Sequence, residues 1–321
     1  MLLVVVDTEE EFDWTAAFDR GATGVEHMRD IGKLQALFDD CGIRPTYVVD
    51  YAIATQETSA APLRAFREAG RAEVGVHLHP WVSPPHLETV SPRNSYAGNL
   101  PSEVERQKFA ELVTAIERGI GGRPLVYKAG RYGFGPNTAA MLEEKGFEVD
   151  LSVRPPYDFR GDGGPDYSRF DAHPFWRGST RTLMSIPATG AYVGYLRSRA
   201  RAAYRFATRP ALAWAHLPAI LARTGVLERL HLSPEGFSFS DNCRLTRALF
   251  NYGLRTFAFS FHSPSIRPGC TPYVRTQRQL DQLMDDCRRY FEFFMTELGG
   301  VNLTALEMKR KLAGLHQRVG P

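Results

Sequence analysis

The sequence predicts an α/β fold in which a parallel sheet is either open or closed into a barrel. Short apolar runs with the character of strands alternate with segments of helical period along most of the 321 residues. Seven such runs are separated by helices and not by short hairpins, which is typical of parallel pairing. Polar and charged residues follow several of the runs directly, where the active sites of such folds lie.

The first half of the chain alternates strand and helix regularly. The run Leu2–Val6 is continuously apolar, as a strand covered on both faces would be. A helix is predicted over 27–41, because its apolar residues recur at helical spacing and Gly42 follows them. The pattern then predicts strands over 45–49 and 73–78, a helix over 63–69, and a helix over 102–118 that opens with a Ser102-x-x-Glu105 capping box.

The second half continues this alternation with two interruptions. It predicts strands over 125–128, 148–153, 182–186 and 256–261, a helix over 137–145, and a last long helix over 276–297. Residues 154–177 are rich in Pro, Gly, Asp and Tyr, which indicates a long ordered loop over the site. Residues 196–232 are expected to form an Arg-rich helical insertion. We expect residues 1–321 to form a single catalytic domain.

Composition excludes several classes of protein. The chain is 43% hydrophobic and 23% charged, which argues against bulk disorder. A net charge of +3 does not by itself indicate nucleic acid or a membrane as partner, and no nucleic-acid partner is expected. The four cysteines lack C-x-x-C spacing and suit a reduced compartment. The short apolar start has no basic residues before it, unlike a signal peptide, so we expect a cytoplasmic protein.

Two pairs of ligand-type side chains follow the first and third predicted strands. His77 and His79 are two residues apart, as are Asp7 and Glu9, and such side chains on a strand point to one face. If the two strand ends are neighbours, the groups could hold one divalent metal, since imidazole and carboxylate both bind zinc. The protein would then be a hydrolase. The alternative for either pair is a solvated or hydrogen-bonded group without a metal.

Three further polar residues stand beyond predicted strands. Arg131 follows the fourth strand in a glycine-rich turn whose spacing does not match a dinucleotide fingerprint. Asp150 lies in the fifth strand. His262 follows the last strand, where a histidine that titrates near neutrality can deliver a proton to a leaving group. A structural role is the alternative for each.

Five ordered blocks together resemble the polysaccharide deacetylase family, the carbohydrate esterases of NodB-homology type. The blocks are Val-Asp-Thr-Glu-Glu-Glu, Val-His-Leu-His-Pro-Trp, Lys-Ala-Gly-Arg-Tyr-Gly, Phe-Glu-Val-Asp and Phe-Ser-Phe-His-Ser-Pro. The resemblance implies a distorted (β/α) barrel and a metal-dependent hydrolase that acts on a linear amide C–N bond other than a peptide bond. It covers residues 2–150 and 182–294.

The resemblance also implies a role for each candidate. Asp7 would be the catalytic base, oriented by Arg131, and His262 would be the acid, oriented by Asp150. The divalent metal, with zinc expected, would be held by Glu9, His77 and His79. Two positions depart from the family pattern: Thr8 stands where a second aspartate is usual, and Trp81 stands where the distal histidine of H-x-x-x-H is usual.

The expected function is removal of an acetyl group from an N-acetylated or O-acetylated sugar or glycan precursor, with Trp81, Tyr132 and Trp176 as candidate sugar-binding residues. Core packing is the alternative for these aromatic side chains. Other functions left open are a metal-independent amidohydrolase acting on a small cyclic amide and a non-catalytic carbohydrate-binding homologue. A glycoside hydrolase is disfavoured, because Asp7 and Glu9 would lie on one side of a strand and would not flank a bond.

The arginine-rich segment raises a further possibility. Residues 196–222 contain five arginines and no acidic residue. Such a segment can dock to an anionic membrane surface, where a lipid-linked sugar could be reached. A lid or a dimer contact is the alternative for this segment.

Overall fold

A computed structural model describes residues 1–178 and 180–318, and its centre is an eight-stranded sheet curled into a half-barrel. The strands are β1 (Leu2–Thr8), β2 (Thr46–Val49), β3 (Glu73–Leu78), β4 (Val126–Ala129), β5 (Val149–Asp150), β6 (Phe175–Arg177), β7 (Leu183–Ser185), β8 (Gly190–Val193), β9 (Glu228–His231) and β10 (Phe257–His262). The order in the large sheet is β10-β1-β2-β3-β4-β5-β7-β6. All neighbours in it are parallel except β6 and β7, so the predicted fold class is confirmed.

Helices cover the outside of this sheet and close one end of it. They are α1 (Ile31–Asp40), α2 (Tyr51–Thr55), α3 (Glu57–Glu68), α4 (Ser102–Gly119), α5 (Thr138–Glu144), α6 (Ala200–Ala207), α7 (Leu217–Arg223), α8 (Phe239–Asn251), α9 (Gln277–Glu292) and α10 (Ala305–Arg318). In the described part of the chain, no helix combines the length and the apolar content that crossing a membrane requires.

Alternate residues of each strand enter two different cores. On the outer face, Val4, Tyr47 and Tyr127 belong to the large cluster that the helices complete. On the inner face, Val5 and Val48 belong to a smaller cluster with residues of α10. Because α10 begins beside the amino ends of β1 and β2, it closes that end of the half-barrel. The opposite end of the half-barrel, at the carboxyl ends of the strands, is not covered by α10 and contains polar side chains.

The hairpin β8–β9 flanks the free side of β10. Backbone hydrogen bonds run from Thr189 N–H to the Ala258 carbonyl (3.3 Å) and from Ser260 N–H to the Leu232 carbonyl (3.2 Å). The sequence pattern predicted neither this hairpin nor β6, α8 and α10. The segment 196–232 contains α6 and α7, and it also contains β9.

One local prediction is wrong. The residue that caps α4 is Pro101, and no side chain makes a capping hydrogen bond there. Glu105 instead accepts a hydrogen bond from the Thr138 hydroxyl of α5 at 2.5 Å. The buried Glu105 therefore joins two helices and does not form a capping box with Ser102.

Candidate active site

Parallel register brings the polar residues at four strand ends together. Asp7 of β1 is the partner of His262 in β10, and His77 of β3 is the partner of Lys128 in β4. All four stand at inner-face positions, in line with Val5 and Val48. They line a cavity of about 250 Å³ at the carboxyl ends of the strands, together with Glu9, His79, Trp81, Arg131, Tyr132 and Arg154.

Three potential metal ligands converge in this cavity. Glu9 Oε2 lies 3.4 Å from His77 Nε2 and 3.4 Å from His79 Nε2, and all three side chains are buried. The other carboxylate oxygen, Glu9 Oε1, is buried and has no hydrogen-bond partner among the described residues. The structure thus brings together the three residues that the sequence predicted as metal ligands.

The other ring nitrogen of each histidine is already engaged. His77 Nδ1 donates to the backbone carbonyl of Lys128 (3.1 Å), and His79 Nδ1 donates to Glu10 Oε2 (2.8 Å). Each bond fixes the ring so that the Nε2 lone pair faces Glu9. Histidines that bind metals are usually oriented by such a bond. Glu10 in turn accepts a hydrogen bond from Trp81 Nε1 (2.6 Å), and Trp81 stacks on His79 with ring centroids 4.2 Å apart.

Electrostatics of this group suit a cation. Burial lowers the pKa of His77 well below its usual value and that of His79 to about 4, so both rings are neutral at pH 7. Burial, followed by the neighbouring carboxylates Glu10 and Asp7, raises the pKa of Glu9 well above its usual value. Neutral imidazoles and a carboxylate that lacks a cation are the donor set that a divalent metal satisfies.

Asp7 has its own cationic partner. Both of its carboxylate oxygens lie 2.6 Å from the ammonium of Lys128, and both side chains are buried. Burial would raise the pKa of Asp7, but Lys128 holds it below its usual value. Burial would likewise lower the pKa of Lys128, but Asp7 raises it. The two groups therefore remain charged.

His262 stands between two carboxylates. Its Nδ1 lies 2.7 Å from Glu235 Oε2, and its Nε2 lies 3.7 Å from Asp7 Oδ2. Glu235 also accepts a hydrogen bond from the backbone N–H of His262 (3.1 Å) and one from the Ser265 hydroxyl. Trp14 makes a T-shaped contact with the histidine ring, with the ring centroids 4.9 Å apart. These contacts aim Nε2 at the cavity.

The structure corrects the two orienting roles expected for Asp150 and Arg131. Asp150 is the register partner of Tyr127 and so faces the outer core, where it bonds the Ser185 hydroxyl (2.5 Å) and the backbone of Ser152 (2.9 Å). Glu235 occupies the place beside His262 instead. Arg131 lines the cavity, but its guanidinium binds Ser95 Oγ (2.6 Å) and Asp162 (2.5 Å). Lys128, three residues earlier and within β4, binds the Asp7 carboxylate instead.

The three aromatic candidates have different surroundings. Tyr132 lines the cavity, with its ring 4.9 Å from Lys128 Nζ. Trp81 lines it too, but is only 1% exposed and supports His79 and Glu10. Trp176 of β6 packs against the inner apolar cluster, away from the cavity, so its expected place on the rim is wrong.

The two departures from the family pattern also have a structural explanation. Thr8 lies between Asp7 and Glu9 and points to the opposite face, where its hydroxyl donates to the Val6 carbonyl at 3.0 Å. Glu9, on the same face as Asp7, reaches the histidines in its place. His79 likewise meets Glu9, while Trp81 packs behind it.

A glycine makes room for His79. A Cβ at Gly130 would lie 2.3 Å from His79 Cδ2 and 2.6 Å from the carbonyl oxygen of Leu78. Neither neighbour can move far, because Leu78 belongs to β3 and the ring is held by Glu10 and Trp81. Residue 130 must therefore be glycine because His79 and Leu78 approach its backbone closely, and not because of its own backbone angles.

Comparison with known proteins gives similarity of fold. No family model matches the sequence, and neither does any curated protein. A protein assigned as a polysaccharide deacetylase from Mycobacterium smegmatis matches with a TM-score of 0.55 and 15% identity, covering 99% of this chain and 92% of that one. The Puue allantoinase matches with a TM-score of 0.57 and 16% identity, covering 98% and 90%. A glycoside hydrolase family 57 branching enzyme from Thermococcus kodakaraensis matches with a TM-score of 0.52 and 11% identity, covering 97% and 70%. The chain therefore has the fold of the polysaccharide deacetylases, as the five sequence blocks predicted.

Proposed function

We propose that this protein is a metal-dependent deacetylase that removes an acetyl group from an N-acetylated or O-acetylated sugar or glycan precursor. The observation that carries the proposal is the convergence of Glu9 Oε2 with the Nε2 atoms of His77 and His79, 3.4 Å from each. This group shares one cavity with Asp7 and His262, which can accept and donate protons. The fold supports the same reaction class.

A divalent metal held by Glu9, His77 and His79 would supply a water of lowered pKa and would polarise the acyl carbonyl. Zinc suits two imidazole nitrogens and one carboxylate oxygen better than magnesium or calcium, which prefer oxygen alone. This donor set is also the one that catalytic zinc sites with an open position use.

In the proposed reaction, the Asp7 carboxylate accepts the proton of the attacking water. Lys128 keeps that carboxylate ionised in its buried site and fixes both of its oxygens at 2.6 Å. The proton acceptor is therefore charged and oriented before the substrate arrives, which is the condition for general base catalysis.

His262 donates a proton to the leaving nitrogen or oxygen. Glu235 at Nδ1 holds the imidazole ring and directs its Nε2 toward the cavity. The distance of 3.7 Å between Nε2 and Asp7 Oδ2 is too long for a hydrogen bond, so the two groups face the cavity without being bonded to each other. The proton taken from water and the proton given to the leaving group thus use different residues.

Aromatic side chains around the cavity are suited to a sugar. Trp14, Phe159 and Tyr273 line it in addition to Tyr132. Flat aromatic faces pack on the apolar faces of sugar rings. A wider groove of about 970 Å³ shares Phe12 and Trp14 with the cavity and could take the rest of a longer glycan.

The decisive experiment combines metal quantification with acetate release. Purified protein should contain about one divalent metal ion per chain, and Glu9→Ala should lose it. Acetate should be released from at least one member of a panel of N-acetylated and O-acetylated sugars. Asp7→Asn and His262→Ala should each lower turnover by about 10² or more while the metal is retained. Near-normal turnover in either variant would refute the role assigned to that residue.

One alternative is a metal-independent amidohydrolase that acts on a small cyclic amide. It is supported by the fold shared with an allantoinase. Activity on allantoin that survives a chelator, with no acetate released from any sugar, would favour it. Binding of sugars without turnover, in protein that takes up no metal, would favour a non-catalytic carbohydrate-binding protein.

We further propose that segment 196–222 attaches the protein to an anionic membrane surface from the cytoplasm. Support comes from side chains that face solvent: Trp214 is 79% exposed and Phe206 52% exposed, among arginines with no acidic residue between Asp171 and Glu228. Basic and aromatic side chains together favour the interface of an anionic bilayer. The four cysteines, none paired in a disulfide, suit a reducing compartment.

Sedimentation with vesicles tests this attachment. The protein should sediment with vesicles of phosphatidylcholine that contain 30% phosphatidylglycerol, and Trp214→Ala should weaken sedimentation. Equal sedimentation with pure phosphatidylcholine, or none with either, would reject an anionic membrane as partner.

A further inference from the structure

The cavity contains three cationic side chains, and two of them are already neutralised. Lys128 is bound to both oxygens of Asp7, and Arg131 is bound to Asp162. The third, Arg154, follows β5 and begins the loop that passes over the carboxyl ends of the strands. Its guanidinium packs against the rings of two tyrosines.

Arg154 is held by aromatic faces and not by an acid. Its guanidinium carbon lies 4.9 Å from the ring centre of Tyr132 and 4.4 Å from that of Tyr157. Among residues 1–178 and 180–318, no carboxylate lies within ion-pair distance of it, and its buried Nε has no hydrogen-bond partner. Arg229 stacks on the same Tyr157 at 3.8 Å, so this side of the cavity is cationic.

A partly buried guanidinium without an ionic partner is costly, because the hydration that the charge loses is not replaced by an ion pair. The two tyrosine faces compensate part of that cost through cation–π attraction. They also fix the plane of the guanidinium. A planar, oriented fork of N–H donors matches the geometry of a carboxylate or a phosphate, to which it can donate two parallel hydrogen bonds.

We propose that Arg154 binds an anionic group of the substrate, so that the preferred substrates are acylated sugars that carry a carboxylate or a phosphate. This inference rests on the proposed function and makes its substrate class more specific. Arg154 and Asp7 line the same cavity of about 250 Å³, so the anionic group must belong to the same sugar as the acyl group or to a substituent directly next to it.

Matched pairs of substrates test the proposal. N-acetylmuramic acid and N-acetylglucosamine differ by a lactyl carboxylate, while N-acetylglucosamine 1-phosphate and 6-phosphate each add a phosphate to the same sugar. We expect kcat/KM of the wild type to be about 10-fold or more higher for at least one acidic member than for N-acetylglucosamine. Which member is preferred distinguishes a carboxylate from a phosphate.

The readout in the variants is the ratio of kcat/KM for the acidic sugar to kcat/KM for the neutral one. Arg154→Gln should lower this ratio about 10- to 100-fold, as expected for the loss of a charged hydrogen-bonding partner. Arg154→Lys keeps the charge but not the planar fork of donors, so it should retain part of the preference for the acidic sugar. Arg160→Gln is the matched control, because Arg160 lies in the same loop but is exposed and paired with Asp158 and Asp166.

Two outcomes overturn the proposal: a wild type that does not favour any acidic sugar, and a ratio that Arg154→Gln leaves unchanged. If no sugar releases acetate, the proposed function itself fails. Calorimetric binding of the same four sugars to the wild type and to Arg154→Gln then still decides whether Arg154 binds an anion. Thermal unfolding of Arg154→Gln and of Arg154→Lys, compared with the wild type, separates loss of binding from loss of folding.

Discussion

The buried pair of Asp7 and Lys128 allows a quantitative prediction. Lys128→Met keeps the size and the apolar part of the side chain but removes the ammonium that lies 2.6 Å from both oxygens of Asp7. Asp7 is then a buried carboxylate with no cation bound to it. Because burial alone raises the pKa of Asp7, we expect the variant to be less stable than the wild type at neutral pH.

The size of the effect follows from the burial of both groups. Removing one partner of a buried ion pair costs about 3–5 kcal/mol. The entropy of unfolding is about 2.1 cal/mol/K per residue, or roughly 0.7 kcal/mol/K for a chain of 321 residues. The melting temperature of Lys128→Met should therefore fall by about 4–7 °C. The double variant Asp7→Asn/Lys128→Met, which buries no charge at this point, should recover a large part of that loss.

Thermal unfolding of the wild type, both single variants and the double variant, in the presence of a chelator, measures this effect. In the wild type the pKa of Asp7 is lowered, so the stability from the pair is present above about pH 4 and is lost as pH falls. In Lys128→Met the pKa of Asp7 is raised, so stability is lost as pH rises. The gap between the two proteins should widen from pH 4 to pH 8. Equal melting temperatures at pH 8, or additive effects in the double variant, would refute the reasoning.

Three further predictions concern residues around the site. Glu235→Gln should lower kcat, whereas Asp150→Asn should reduce stability with little change in kcat; the reverse result would restore Asp150 as the partner of His262. Trp81→Phe should weaken metal affinity about 10-fold or more, measured by competition with a chelator, because Glu10 loses its indole donor; an altered KM with unchanged metal affinity would contradict this. Burial lowers the pKa of His231 well below its usual value, so protonation destabilises the fold as pH falls below about 6.5; the stability of His231→Gln relative to the wild type should improve between pH 7 and pH 5, and a constant difference would contradict this.

The spacing of two residues within a strand was sufficient to predict part of the site. Asp7 and Glu9, like His77 and His79, lie on one face because strand side chains alternate, and neighbouring parallel strands end at the same edge. Asp150 shows the limit of this reasoning. The apolar residues Val149 and Leu151 flank it, so it faces the other way, but both faces of the sheet are buried and the pattern does not say which is the inner one.

Partners that are distant in the chain were not predictable in the same way. Lys128 meets Asp7 across 121 residues, through the register of three successive pairs of strands. Glu235 follows β9, a strand of a hairpin that breaks the regular alternation and was not predicted. Both contacts depend on strand pairing and register, which a single sequence does not specify.

The lack of a side chain at Gly130 limits which proteins of this fold can use a second histidine in H-x-H as a metal ligand. A methyl group at this position would lie 2.3 Å from Cδ2 of His79, which is closer than two non-bonded carbons can approach. The ring of His79 could then not turn toward Glu9. Among proteins of this fold, H-x-H should serve as a pair of ligands only where a glycine stands at the corresponding turn. Wherever an alanine or a larger residue replaces it, the second nitrogen would have to come from another part of the chain.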